Sequence, residues 1–259
     1  MTNILNLLNV AQKAATEAGH AIMDVYRSGN LSGTLKEDQS PITRADHAAH
    51  TIIAGVLAPT GWPVLSEEGK DIGFHVRKDW YRLWLVDPLD GTKEFLQGRN
   101  EFTVNIALII GGNPVAGVIY LPSEDILYSG SARTGVIRND KGRVRPLAAL
   151  PMRRHLEDLR GQSHLRIAVS RSHFTAETNH FLDGFPDHTL VQAGSSLKFA
   201  ALVEGRADIY PRLGATMEWD TAAAHAILHW AGMGIYELDG RTELTYNKPN
   251  LVNPSFIAF

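Results

Sequence analysis

The amino-acid sequence predicts an α/β protein (α+β layered) of alternating helix and sheet layers, in two halves that meet at a cleft. Three observations lead there. The chain has 259 residues, 44% of them hydrophobic, which is enough for one large domain or two closely packed halves. Its first half places two helices before a run of strands joined by turn signals. Its second half alternates strand and helix, the rhythm of a smaller α/β sheet.

The elements follow in order. "MTNILNLLNVAQKAATEAGHAIMDVY" carries Leu5, Leu8, Ala15, Ile22 and Tyr26 among its apolar positions and predicts an amphipathic helix ending near Ser28-Gly29, not a signal peptide. After the polar loop "KEDQSPITRAD" (36–46), Asp46 opens a second helix, which Pro59 and Gly61 stop. "PVL" (63–65) and "RLWLV" (82–86) are buried strands that deliver "SEE" (66–68) and Asp87. Strands over 103–110, 115–121 and 126–130 form an antiparallel or mixed meander. Residues 140–163 are basic, Pro-containing and irregular, and mark a boundary between a half over 1–155 and a half over 156–259 in one compact unit. Beyond it the pattern predicts strands over 165–170, 189–193 and 207–211, and helices over 176–183, 195–205 and 219–232.

Composition excludes several classes. There are no cysteines, so disulfides, thiolate zinc sites and a cysteine nucleophile are absent. The net charge of -3 argues against coating a nucleic-acid polymer or a membrane. No stretch reaches the roughly 18 to 20 apolar residues that span a bilayer. The expectation is a cytoplasmic protein, with peripheral association at the inner membrane left open, and either a monomer or a homodimer.

The chemistry concentrates in "LVDPLDGTKEF" (85–95). An apolar strand ends in Asp87 and Asp90 across a turn forced by Pro88. Gly91 allows close backbone approach, and Thr92 can open a helix whose free N–H groups bind an anion. Carboxylates gathered beside an anion hole make sense with cations between them, and hard oxygen ligands favour Mg²⁺ shared with a phosphate. The plainer reading is a helix start capped by Asp90. "LDGT" also resembles the loop of haloacid-dehalogenase-like phosphatases, but Pro88 stands where their nucleophilic Asp belongs.

Asp87-Pro88-Leu89-Asp90-Gly91-Thr92 resembles the first signature of the inositol monophosphatase superfamily, and "WDTAAAHAIL" (219–228) its second. "SEE" and "ITRAD" (42–46) stand in the family's order. The resemblance runs from Lys36 to the C-terminus and implies an αβαβα sandwich of the inositol monophosphatase/fructose-1,6-bisphosphatase type. It implies metal carboxylates at Glu67, Asp87, Asp90 and Asp220, a main-chain ligand at the Leu89 carbonyl, and two or three Mg²⁺ ions. Spacing alone does not separate Glu67 from Glu68; the family places the ligand at the first. Thr92 oriented by Asp46 resembles the pair that positions the attacking water, with Glu67 the alternative proton acceptor. The N–H groups of Gly91 and Thr92 would hold a phosphate oxygen.

"TKEF" after the first signature, together with "EFTVNIALI" (101–109), "SRSH" (170–173) and "GSSLKF" (194–199), resembles the 3′(2′),5′-bisphosphate nucleotidase (CysQ-like) branch. The implied reaction is hydrolysis of 3′-phosphoadenosine 5′-phosphate to AMP and phosphate by a metal-activated water, recycling a by-product of sulfur assimilation. His173, Ser195, Lys198 and Arg212 match positions that hold the nucleotide. Their plainer readings are a loop histidine, a solvated lysine and a surface arginine. Alternatives are an inositol monophosphatase or sugar-bisphosphate phosphatase, a non-catalytic metal- or nucleotide-binding regulator, and an activity on very short oligonucleotides. His47/His50 and His225/His229 read as ordinary helix positions, and "RNDKGRVRPL" (138–147) as a solvated hairpin without the aromatics of a nucleic-acid site.

Overall fold

In the structure, a computed structural model, residues 3–29, 31–35, 41–149, 154–171 and 175–259 are described. Helix α1 (Ile4–Arg27) starts where the Asn3 side chain accepts the N–H groups of Leu5 and Asn6. Its buried face is built of small residues, and a Cβ at Gly19 would meet the Tyr120 ring at 2.3 Å, so the helix lies close on the sheet. The antiparallel pair β1 (Gly33–Leu35) and β2 (Pro41–Thr43) leads into α2 (Arg44–Leu57). Next come β3 (Val64–Ser66), α3 (Phe74–Arg77), β4 (Arg82–Asp90) and α4 (Thr92–Leu96). The meander then runs through β5 (Thr103–Ile110), β6 (Asn113–Leu121), β7 (Ile126–Ser131), β8 (Gly135–Asp140) and β9 (Arg143–Leu147). Strands β3 to β9 form one sheet in sequence order. Only the β3–β4 pair is parallel.

The second half contains α5 (Leu156–Arg160), β10 (Leu165–Ser170), α6 (Ala176–Leu182), β11 (His188–Ala193), α7 (Leu197–Val203), β12 (Tyr210–Arg212), α8 (Glu218–Trp230), β13 (Ile235–Glu237) and β14 (Phe256–Ala258). β10 and β11 pair in parallel, and β14 lies between β12 and β13. A parallel bridge from Ile167 to Ile209 joins the two sets into one layer.

Three apolar clusters fill the spaces between layers. α1 and α2 pack on the face of the large sheet that carries Trp84, Val86, Ile106 and Leu108. The opposite face, with Leu83, Leu85, Ala107 and Ile109, packs on α7 and α8. The far side of the second sheet buries Leu165, Ile167 and Val169 with Leu156 and Leu182 of α5 and α6. The order is therefore helix, sheet, helix, sheet, helix, as the sequence predicts. Helix α8 approaches the large sheet through glycines: a Cβ at Gly117 would lie 2.2 Å from the Ala223 carbonyl oxygen, and one at Gly130 2.9 Å from the Ile227 Cα.

The stretch expected to be irregular over 140–163 differs. Its first part is the outer strand β9, turned back from β8 at Lys141 and Gly142, which adopt φ of 51° and 85°. Its Arg143, Val144 and Arg145 are exposed and Pro146 sits in the strand, which is how an edge strand avoids further pairing and why its pattern does not alternate. The expected hairpin over 138–147 is present. The helix expected from 195 starts two residues later, because Ser195 takes a left-handed φ of 48° and Ser196 becomes the N-cap.

Candidate active site

β4 alternates its side chains between two cores, and Asp87 falls on the Leu83/Leu85 face at the strand's C-terminal end. Its Oδ1 accepts the Leu89 N–H at 3.0 Å. Parallel pairing of β3 with β4 continues through the Glu67 N–H to the Val86 carbonyl at 3.1 Å, which sets Glu67 beside Asp87. Asp220 is the third residue of α8, and its Oδ2 accepts the Met217 N–H at 2.8 Å. One oxygen from each of Glu67, Asp87 and Asp220 lies within 4.8 Å of the others. Glu67, not Glu68, is therefore the member of the pair that joins the cluster.

Asp90 stands beside this group in a different setting. The β4–β5 ladder skips from Asp87 opposite Asn105 to Asp90 opposite Thr103, and this bulge turns Asp90 toward the second half. Its Oδ2 accepts from Ser195 Oγ at 2.6 Å, Ser196 Oγ at 2.9 Å and Asn105 Nδ2 at 3.4 Å, which leaves Oδ1 for the cleft. The sequence pointed to Ser195 as a nucleotide contact, whereas its hydroxyl lies on Asp90 and 2.7 Å from Thr103 Oγ1; Ser196, Asn105 and Thr103 escaped it, although they sit in the motifs "GSSLKF" and "EFTVNIALI". A buried Asn in an otherwise apolar strand was the available signal, since it is 1% exposed and needs partners.

The electrostatics of the cluster suit a bound cation. Burial first, and then the charges of Glu67, Asp90, Asp220 and Asp46, push the Asp87 carboxyl well above its ordinary value. Burial and the Asp90 charge do the same to Asp220. The described hydrogen-bond partners of Asp87 and Asp220 are main-chain N–H groups. Oxygen donors of this kind, crowded and mutually repelling, fit a hard divalent cation, whose charge would relieve the repulsion.

Asp46 and Thr92 meet at the edge of the cluster. Asp46 is the third residue of α2, and its Oδ2 accepts Thr43 N–H at 2.7 Å and Thr43 Oγ1 at 2.6 Å. Thr92 Oγ1 lies 3.3 Å from Asp46 Oδ1 and 3.2 Å from the Leu89 carbonyl oxygen, and its one proton is shared between them. Burial raises the Asp46 carboxyl above its ordinary value. Gly91, with φ of 92°, makes the turn that brings Thr92 there.

A cleft of about 420 Å³ opens at these groups, lined among others by Glu67, Asp90, Gly91, Thr92, Asp220, Ser195, Lys198 and Arg212. Lys198 is buried, not solvated; its Nζ donates to the Ser195 carbonyl at 2.5 Å and stands 5.4 Å from the Tyr210 ring centre. Burial pulls its ammonium down to about 8. Arg212 gives Nη2 to the Ala215 carbonyl at 3.3 Å, while its buried Nε has no partner. His173 lies outside the described residues. His50 bonds Ser66 Oγ at 2.9 Å and the buried His225 bonds Tyr246 at 3.0 Å; neither joins an acidic group that could hold a metal among the described residues.

Comparison with known proteins gives the following. The family model described as "Inositol monophosphatase family" matches residues 3–256. The 3′(2′),5′-bisphosphate nucleotidase CysQ of Shigella flexneri is 41% identical over 254 residues, covering 96% of this chain and 98% of the relative. Among solved structures, CysQ from Bacteroides thetaiotaomicron superposes with a TM-score of 0.83 at 39% identity, over 98% of this chain and 96% of that one. The extragenic suppressor protein SuhB from Bartonella henselae gives a TM-score of 0.76 at 27% identity, over 98% and 93%.

Proposed function

The chain belongs to the inositol monophosphatase family, and from that premise we propose that it is a metal-dependent 3′(2′),5′-bisphosphate nucleotidase that converts 3′-phosphoadenosine 5′-phosphate to AMP and phosphate. The observation that carries the substrate is the basic pair that shares the cleft with the carboxylates. The buried Lys198 and the half-buried Arg212, whose Nε lacks a partner, line it together with Glu67, Asp90 and Asp220. A monophosphate held at the carboxylates leaves this basic pair without an anion; a bisphosphate supplies one. The relatives named as bisphosphate nucleotidases support the same reading.

In this reading the half over 1–155 carries Glu67, Asp87, Asp90 and the Leu89 carbonyl as ligands for two or three Mg²⁺ ions, and the half over 156–259 carries Asp220 and the nucleotide contacts. Bound there, the metal supplies activation of a water nucleophile and neutralises charge on the phosphoryl group. Thr92 takes a proton from the attacking water while its own passes to Asp46, whose burial favours the protonated form. Gly91 and Thr92 hold a phosphate oxygen through their N–H groups. Ser195 fixes Asp90, and Lys198 and Arg212 hold the second phosphate. His173 remains a proposed nucleotide contact by resemblance.

The test is phosphate release with Mg²⁺ from 3′-phosphoadenosine 5′-phosphate and from inositol 1-phosphate, side by side. Strong preference for the nucleotide is expected. Preference for inositol 1-phosphate would keep the metal cluster and remove the nucleotide pocket.

A further inference from the structure

Two turns from opposite halves meet at Asp90. The Gly91 turn follows it, and the Gly194–Ser196 turn supplies two hydroxyls to its Oδ2. Ser195 reaches Asp90 only by holding a left-handed backbone, φ 48°, that a non-glycine residue adopts at a cost. Something must hold it there.

Glu101 touches both turns. Its carbonyl oxygen lies 2.8 Å from where a Cβ on Gly91 would stand, so its main chain abuts the first turn. Its Oε2 accepts the Gly194 N–H at 2.8 Å, immediately before Ser195. Arg171 grips the same carboxylate in a fork, Nε to Oε2 at 3.1 Å and Nη2 to Oε1 at 2.9 Å, and also donates to the Gln192 carbonyl at 3.3 Å. An isolated surface ion pair contributes little to stability. This one is bidentate, and its carboxylate also holds a main-chain N–H of the turn that orients a proposed metal ligand.

We propose that Glu101 is a positioning residue for Asp90: by clamping Gly194 against the Gly91 turn it keeps Ser195 and Ser196 on Asp90 Oδ2 and so aims Oδ1 at the metal cluster. The inference rests on the metal-site reading above and adds to it a clamp between the halves.

The test measures Mn²⁺ binding to substrate-free protein by electron paramagnetic resonance, with hydrogen exchange at the Gly194 amide followed by NMR. Glu101→Ala is expected to deprotect that amide and weaken Mn²⁺ binding about tenfold, within the loss typical of removing a group behind a metal ligand. Glu101→Gln, whose amide oxygen still accepts from Gly194, is expected to stay within about twofold of the parent. Gly194→Ala places a Cβ 2.9 Å from Glu101 Oε2 and is expected to behave as Glu101→Ala. It carries the test if Glu101→Ala does not fold. Unchanged Mn²⁺ affinity in Gly194→Ala or in a folded Glu101→Ala overturns the clamp. Asp90→Asn separates the two readings. It should lose Mn²⁺ affinity and leave the fold intact, and unchanged affinity there overturns Asp90 as a metal ligand and the clamp with it.

Discussion

At the scale of single residues, the cluster is organised around charge that the protein leaves uncompensated. Asp87 is 2% exposed and surrounded by other carboxylates. Its folded-state carboxyl therefore holds a proton where the unfolded chain has already lost it. Stability changes with pH as protons bound unfolded minus protons bound folded, and that difference is negative here. The contribution is fully present below the ordinary value of 3.8 and is lost as pH rises through the raised one. Asp87→Asn removes the liability. In chelator-treated protein its melting temperature should exceed the parent's at neutral pH, with the gap closing near pH 4. Scanning calorimetry across that range checks this, and a gap independent of pH would contradict it. Lys198 supplies a second test. With its ammonium near 8, the charge offered to a phosphate fades above that pH. KM for the bisphosphate should rise above pH 8 in the parent and stay flat in Lys198→Arg, because a guanidinium remains charged.

At the scale of elements, the same local device positions two of the acids. Asp46 and Asp220 are each the third residue of a helix, and each turns back to the N–H three residues earlier. A carboxylate at a helix start is also favoured by the dipole, which partly offsets its burial. Helix α8 then fixes Asp220 against the large sheet through Gly117 and Gly130. Gly117→Ala forces its Cβ into the Ala223 carbonyl, so the helix must lift. The expected loss is about 1–3 kcal/mol, several degrees in Tm, with weakened Mg²⁺ binding because Asp220 moves with the helix. Calorimetry and a metal titration on the same variant check both. A fall in Tm with unchanged metal affinity would separate the helix seat from the site.

At the scale of the whole molecule, the cleft gathers side chains from distant parts of the chain. The first half brings Glu67, Asp87 and Asp90; the second brings Asp220, both serines, Lys198 and Arg212. If the second half reads the second phosphate, Arg212→Ala should raise KM for the bisphosphate by about ten- to a hundredfold, as loss of a charge-assisted contact of roughly 1.5–3 kcal/mol implies. KM for 2′- or 3′-AMP should change far less. Equal effects on both substrates would move Arg212 out of the proposed second-phosphate site. Among the described residues, no helix is long and apolar enough to cross a membrane.

The sequence by itself determined the layers and the acids. Periodicity of 2 and 3.6 is written locally, and so were the strands over 103–110 and 165–170 and the helix that carries Asp220. The run Asp87 to Thr92 holds its carboxylates within one turn, so the gathering of acids there was legible without coordinates. Spacing left Glu67 and Glu68 open and only the family resemblance chose the first; tertiary structure sets Glu67 in the cluster, and it alone decided the burial of Lys198, the unpartnered Arg212 Nε and the hydrogen bond from Gly194 to Glu101. These depend on contacts between residues far apart in the chain, Glu101 and Gly194 being 93 positions apart, and neither periodicity nor spacing encodes which of two adjacent glutamates a parallel strand pair will turn inward. Strand β9 was legible only as part of the expected hairpin over 138–147: Arg143, Val144 and Arg145 are exposed on both faces, so no apolar alternation marks it.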